Sequence, residues 1–334
     1  IRASLLLAGP LLARFGHVEL PPPGGDVIGR RRMDTHFLAF EALGAEVTLN
    51  GDFTIRAKAL EGADFFLDEP SVTGTENAVM ASVCASGVTR IRNAAAEPHV
   101  QDLCRMLVTM GARIDGIGTH ILEIEGVREL MGARYRIGAD HIETGSFIGL
   151  AAVTGSDIVI ENAPLDHLDS TLIGFRRLGV SCTFQGTDLE VHGADEHVIR
   201  QEAFGHVPKI DDGPWPAFPA DLTSIALVTA TQCRGTVLIH EKMFESRMYF
   251  TDKLVGLGAS IILCDPHRAV VVGPTRLTGG VVESPDIRAG MALLIAALGA
   301  EGTSRIKNIR QIERGYERID ERLRALGARV ERVD

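Results

Sequence analysis

Three short segments set an arginine beside a carboxylate: Glu245-Ser246-Arg247, Pro285-Asp286-Ile287-Arg288 and Ile312-Glu313-Arg314-Gly315-Tyr316-Glu317-Arg318. Taken singly, each is an exposed ion pair of small energetic weight. Placed alike in three repeats of one domain, they read as a convergent set. A planar guanidinium binds carboxylate or phosphate through two parallel hydrogen bonds. Residues 212–221 hold the only Trp (Trp215), three prolines and Asp221 directly ahead of a helical stretch. Asp221 is either that helix's N-cap or a carboxylate fixed by a stiff turn for proton abstraction. Pro21-Pro22-Pro23-Gly24-Gly25-Asp26-Val27-Ile28-Gly29 runs into Arg30-Arg31-Arg32, a loop stiff at one end and mobile at the other. It is a solvated basic surface run, or a flap that brings cations and Asp26 onto an anionic substrate. Ser71-Val72-Thr73-Gly74-Thr75-Glu76-Asn77 is a helix start with Ser71 as cap, where free N–H groups can also receive phosphate.

Other chemistries lack support. The eleven histidines show no metal-ligand spacing, so no metal is expected, and there is no Walker loop, Rossmann fingerprint or G-x-S-x-G. Five cysteines form no C-x-x-C, which argues against a disulfide scaffold or structural zinc and for a reducing cytoplasm. Cys84, Cys104 and Cys233 sit in apolar, helix-like segments and read as core. A net charge of −10 argues against nucleic acid or an anionic membrane as partner. No apolar run approaches the ~18 residues of a membrane span.

The elements that position these residues come from an internal repeat. A helix-ending tripeptide occurs five times, at Leu43-Gly44-Ala45, Met110-Gly111-Ala112, Leu178-Gly179-Val180, Leu257-Gly258-Ala259 and Leu326-Gly327-Ala328. Its glycines recur every 67 to 79 residues. Each tripeptide follows an amphipathic stretch and precedes short alternating runs, predicting a helix closed by a C′ glycine and then a β-hairpin. Upstream of each lies a second helical stretch rich in small residues: 2–15, 75–85, 144–153, 222–231 and 287–298. Strands such as Thr89-Arg90-Ile91-Arg92-Asn93 and Thr236-Val237-Leu238-Ile239-His240 link the two helices. The unit is therefore strand–helix–strand–helix–hairpin, an α/β architecture. Copies one and two fall in a first domain, residues 1–139, which carries the flap, and copies three to five in a second, residues 140–334. The first copy opens directly in its helix, so a truncated N-terminus and an original set of six are expected.

Taken together, the strings resemble the enolpyruvyl transferases, and within them the branch that uses UDP-N-acetylglucosamine as acceptor. The resemblance spans essentially the whole chain in a fixed order: Arg2-Ala3-Ser4, the loop from Pro23 to Arg31, Val72 to Asn77, Ile142-Glu143-Thr144-Gly145, Pro216 to Asp221, Phe244 to Arg247, and Arg314 to Ile319. It implies two inside-out α/β barrels, each built from repeated units, with the first unit missing. It also implies transfer of an enolpyruvyl group from phosphoenolpyruvate to the 3′-hydroxyl of UDP-N-acetylglucosamine, without a cofactor, in peptidoglycan synthesis.

Carried over by position, the resemblance makes Asp26 the general acid, where most of the family has a cysteine that fosfomycin alkylates. Asp221 becomes the base. Arg2, Arg31, Arg247 and Arg314 bind phosphoenolpyruvate, while Asp286 and Arg288 shape the cleft. Arg31, Asp34, Thr35, Ser71, Val72, Asp221 and Met243 contact the sugar nucleotide. Three positions depart from the pattern: Glu69 and His141 replace a common lysine and arginine, and Arg32 a common proline. A Lys-Asn pair that lies ahead of Arg2 in the family has no counterpart, so the stretch is expected to be inactive alone. Two other readings share these features: 5-enolpyruvylshikimate-3-phosphate synthase, and a non-catalytic paralogue that binds a nucleotide sugar.

Overall fold

The computed structural model describes residues 2–26 and 28–333; Ile1, Val27 in the Pro-Gly loop and Asp334 lie outside them. All five tripeptide glycines adopt the left-handed conformation, with φ between 87° and 107°. The residue after each returns its N–H to the carbonyl five positions back: Ala45 to Phe40, Ala112 to Leu107, Val180 to Phe175, Ala259 to Leu254 and Ala328 to Leu323, at 3.0 to 3.1 Å. This is the Schellman closure, and it turns the chain out of each outer helix. Four outer helices then lead into antiparallel hairpins, Glu46–Asn50 with Asp52–Arg56, Arg113–Asp115 with Ile121–Glu125, Ser181–Gln185 with Asp188–His192, and Ser260–Asp265 with Arg268–Gly273.

The fifth expected hairpin is not formed among the described residues. The segment after Gly327 pairs with no strand among the described residues and is held by side chains. Arg332 pairs with Glu313 and Asp320, and Arg324 Nη1 donates to the Val330 carbonyl.

Two compact units organise the chain. Residues 1–25, 31–138 and 214–216 form one; residues 26–30, 139–213 and 217–334 form the other. In the second, the helices His141–Thr154, Thr223–Ala230 and Ile287–Gly299 pack on one another, with sheets on their outer sides. Their residues are buried on almost every face, so the sequence shows small and apolar residues all round rather than a stripe. Gly149 permits this packing, because a Cβ there would stand 2.5 Å from Ile225 Cγ2. In the first unit the corresponding helices are Ala8–Phe15, preceded by the 3₁₀ turn Arg2–Leu7, and Val72–Ser82. Helices Val72–Ser82 and His141–Thr154 each start three residues before the hydrophobic pattern suggests. Ser71 and Asp140 are the reason, since their side chains accept from the N–H of Gly74 and of Ile142 and Glu143.

Three cysteine readings divide. Cys104 and Cys233 are buried, the latter opening the strand Cys233–His240 rather than lying in a helix, but Cys84 is exposed. It falls beyond the end of helix Val72–Ser82, in the turn toward the next strand, where its side chain is exposed between buried Val83 and Ala85.

Asn77 ties the first unit together. It is fully buried, its Oδ1 accepts from Gly9 N at 2.8 Å, and its Nδ2 donates to the Leu5 carbonyl and to His36 Nδ1, both at 2.9 Å. Asn77→Ala orphans a backbone donor and a backbone acceptor in the interior. Urea unfolding should show a loss of about 2–4 kcal/mol; a loss below 1 kcal/mol would mean that these bonds are dispensable.

Candidate active site

In the second unit the turn 220–222 ends in helix Thr223–Ala230, and Asp221 does not cap it. Its carboxylate instead accepts from two arginines, Arg247 Nη2 at 2.9 Å on Oδ1 and Arg288 Nε at 3.0 Å on Oδ2. Burial alone would raise its pKa. Arg288 and then Arg247 overcome that and hold the carboxyl well below the usual range, so Asp221 is a carboxylate at neutral pH. Arg247 is 3% exposed and lies over the Phe244 ring at 4.9 Å. Arg288 lies over the ring of Tyr316, whose hydroxyl meets Ser146 Oγ at 2.7 Å. Nη1 of each arginine is buried with no hydrogen-bond partner among the described residues. Such donors cost free energy unless an acceptor arrives.

Asp286 caps helix Ile287–Gly299, accepting from Arg288 N and Ala289 N, and so sets the start of the segment that carries Arg288. Burial, against these hydrogen bonds and Arg247, raises its pKa. Arg314 joins neither arginine. It pairs with Asp26 of the Pro-Gly loop and with Gln311 Oε1. The loop tip is fastened beside it: Ser246 N donates to the Ile28 carbonyl at 3.1 Å, and Arg30 N to Glu245 Oε2 at 3.3 Å. Met243 is 41% exposed. Of the three segments expected to converge, two therefore meet at Asp221, while Arg314 meets the flap and Arg318 pairs with the adjacent Glu321.

In the first unit Arg2 donates to the carbonyls of Arg31 and Arg32. Burial, then the Arg31 charge, lower its pKa against the opposing pull of Glu69. Arg32 pairs with Asp68 at 2.6 Å and Asp34 at 3.2 Å, and Thr35 Oγ1 donates to the other oxygen of Asp68 at 2.8 Å. Ser71 and Val72 open the next helix. Sequence gives no role to Asp68, Glu241 and His36, which no motif marks, or to Asp212, which only opens the Pro-rich run, because their partners lie far away in the chain. Among the described residues no three His, Cys, Asp or Glu side chains are grouped to hold a metal ion, and no helix is long and apolar enough to cross a membrane.

Residues 1–323 match the family described as EPSP synthase (3-phosphoshikimate 1-carboxyvinyltransferase). The chain belongs to the enolpyruvyl transferase family. It is 63% identical over 333 residues to a UDP-N-acetylglucosamine 1-carboxyvinyltransferase of Bradyrhizobium diazoefficiens, covering 100% of this chain and 77% of that protein. It is 58% identical to a protein of the same name from Treponema pallidum, covering 99% and 78%. Among solved structures, the enolpyruvyl transferase NikO from Streptomyces tendae superposes with a TM-score of 0.83 at 23% identity, over 98% of this chain and 77% of that one. An EPSP synthase from Acinetobacter baumannii gives 0.71 at 17% identity, over 97% and 76%. These two show the shared fold, the enolpyruvyl transferase α/β architecture expected from the repeats.

His36 supplies a test of the first-unit cluster. Its ring is buried between Asn77 and Thr73, and burial, followed by the Arg2 charge, pushes its pKa down to about 4. The unfolded chain binds this proton near pH 6.5 and the folded one only near 4. Stability is therefore complete above pH 6.5 and falls as the pH drops toward 4. Between pH 7.5 and 4.5 the wild type should lose roughly 2–3 kcal/mol more than His36→Gln in urea titrations. Parallel losses would remove the buried neutral histidine.

Proposed function

We propose that the full chain carries out enolpyruvyl transfer from phosphoenolpyruvate to the 3′-hydroxyl of UDP-N-acetylglucosamine, releasing phosphate, and that the two compact units belong to the two barrels of the fold. The carrying observation is the pair of arginines at Asp221, Arg247 buried and Arg288 half-buried, each keeping a sealed, unmet N–H donor. An anion that entered would satisfy both. High identity to relatives named UDP-N-acetylglucosamine 1-carboxyvinyltransferase selects the acceptor. By the same reading the activity belongs to peptidoglycan synthesis, and so to cell-wall formation, cell shape and division, in the cytoplasm.

The residues take these roles. Arg2, Arg31, Arg247 and Arg314 bind the carboxylate and phosphate of the donor, and Asp286 and Arg288 hold the cleft around it. Arg31, Asp34, Thr35, Ser71, Val72 and Met243 contact the sugar nucleotide. Asp26 protonates the methylene carbon as the sugar oxygen bonds to the adjacent carbon, and Asp221 accepts the hydroxyl proton. Loss of a methyl proton with departure of phosphate then restores the double bond. Two competitions follow from the ion pairs. A phosphate on Arg247 and Arg288 draws them from Asp221 and makes its carboxylate more basic. A donor anion on Arg314 likewise releases Asp26 from its salt bridge, which a proton donor at that position requires.

Asp221→Asn in the full chain should retain sugar-nucleotide binding by calorimetry and lower kcat for phosphate release roughly 10²–10⁴-fold. An unchanged kcat would leave Asp221 a partner of the arginines only. The flap gives an independent test. A carboxylate is a far poorer nucleophile toward an epoxide than a thiolate, so the enzyme should resist fosfomycin and Asp26→Cys should become sensitive. A covalent fosfomycin adduct on the Asp26 protein, detected by mass spectrometry, would contradict this role.

A further inference from the structure

Behind Arg247 lie two carboxyl groups with no place in the reaction just described. Glu241 is fully buried at the end of strand Cys233–His240, and Asp212 is 1% exposed just after strand Lys209–Asp211. Oε1 of Glu241 accepts from Met243 N at 3.2 Å and Phe244 N at 3.1 Å, fixing the turn that leads to Arg247. Oδ1 of Asp212 accepts from Lys242 N. The remaining oxygens, Glu241 Oε2 and Asp212 Oδ2, are both sealed from solvent and accept no hydrogen bond. The two side chains are in hydrogen-bonding contact, and two unmet acceptors in contact are satisfied together by one proton.

The repeats indicate which group should carry it. Three of them share one backbone bond: Leu67 N to Arg92 O, Ser284 N to Lys307 O, and Asp212 N to His240 O. The residue that follows the acceptor is Asn93 in the first case, Asn308 in the second and Glu241 in the third. Asn93 Nδ2 donates to the Leu67 carbonyl at 2.8 Å, and Asn308 Nδ2 to the Ser284 carbonyl at 2.9 Å. Both positions thus hold a neutral side chain that donates across to the neighbouring strand end. We propose that Glu241 is a protonated, neutral acid that donates to Asp212 Oδ2 in place of that amide, and that it is a positioning residue which leaves the Arg247 charge directed at Asp221 and the substrate anion.

The distances agree. Arg247 Nη2 stands 2.9 Å from Asp221, whereas its Nε is 3.5 Å from Glu241 Oε2, long for a charge-assisted bond. Burial, then the hydrogen-bonding contact with Asp212, push the Glu241 pKa up to about 9 against the attraction of Arg247. The groups around it are Asp212 from the preceding strand, Thr223 from the inner helix, Arg247 from the following turn, and His240 and Lys242 beside it in the chain. His267 of the adjoining hairpin bonds its carbonyl, and Asp221 and Asp286 lie beyond Arg247. Ionisation of Glu241 would place a second negative charge behind the guanidinium and weaken its hold on an incoming anion.

The catalytic part of this proposal rests on the phosphoenolpyruvate reading; the protonation state does not, and is tested without substrate. Infrared spectra of the full chain at pH 7 should contain a protonated-carboxyl band that bleaches above about pH 9 and is missing in Glu241→Gln. A Glu241→Gln spectrum that lacks no such band would overturn the proposal. In kinetics, Glu241→Ala should raise the KM for phosphoenolpyruvate by about tenfold at pH 7. Glu241→Gln, which keeps an acceptor and supplies a neutral donor, should recover most of that loss and lack the wild type's alkaline rise in KM. A glutamine variant as impaired as the alanine variant at pH 7, or one with the wild-type alkaline rise, would equally sink it.

Discussion

Holding one guanidinium group out of water and a second largely so is the constraint from which the second unit's site is built. A buried cation is tolerated only with compensating charge and nearly full hydrogen bonding. Asp221 supplies the charge by bridging Arg247 and Arg288, and the faces of Phe244 and Tyr316 cover the guanidinium planes. Compensation stops short of completeness, because one Nη1 of each arginine stays unmet. That residual demand is what an anionic substrate can meet. A neutral Glu241 is consistent with the same logic, since a further carboxylate would satisfy Arg247 from behind.

The inner helices decide where such groups stand. Across the repeats, the candidate site residues gather at the beginnings of these helices: Arg2 at the 3₁₀ turn before Ala8–Phe15, Ser71 before Val72–Ser82, Asp221 before Thr223–Ala230 and Asp286 before Ile287–Gly299. Close packing of small residues along the helix bodies holds these starts rigidly, as Gly149 against Ile225 shows. Repetition therefore provides equivalent rigid positions within a unit, and each copy spends its own on a different residue. Ser71 and Asp286 are true caps, while Asp221, one residue ahead of the cap position Leu222, gives its carboxylate to the arginines.

The Pro-Gly loop illustrates how one residue type alters a site without altering its frame. Its tip is tied by backbone groups of Ile28 and Arg30 to Ser246 and Glu245. Asp26 adds an ion pair to Arg314 that a neutral thiol at the same position could not make. The loop's anchorage and the charge on an expected donor-binding arginine are thus linked through a single carboxylate.

What was legible in the sequence was local or repeated. The five C′ glycines needed no tertiary information, because a left-handed residue after an amphipathic helix is satisfied by bonds within six residues. The alternating runs marked the four hairpins for the same reason, and the fixed order of motifs marked the family. Long-range partners decided the rest. Asp221 looked equally like a cap or a base until Arg247 and Arg288, 26 and 67 residues away, claimed its oxygens. Cys84 looked apolar but is exposed in the turn after its helix, between buried Val83 and Ala85, and the run after Gly327 has the pattern of a strand but pairs with none among the described residues. Glu241 carries no motif and Asp212 merely opens the Pro-rich run; only the pairing of their strands makes them neighbours. Sequence determined the units and their closures, since these depend on backbone preference and period. Tertiary structure decided charge state and pairing, which depend on burial and on which distant groups arrive together.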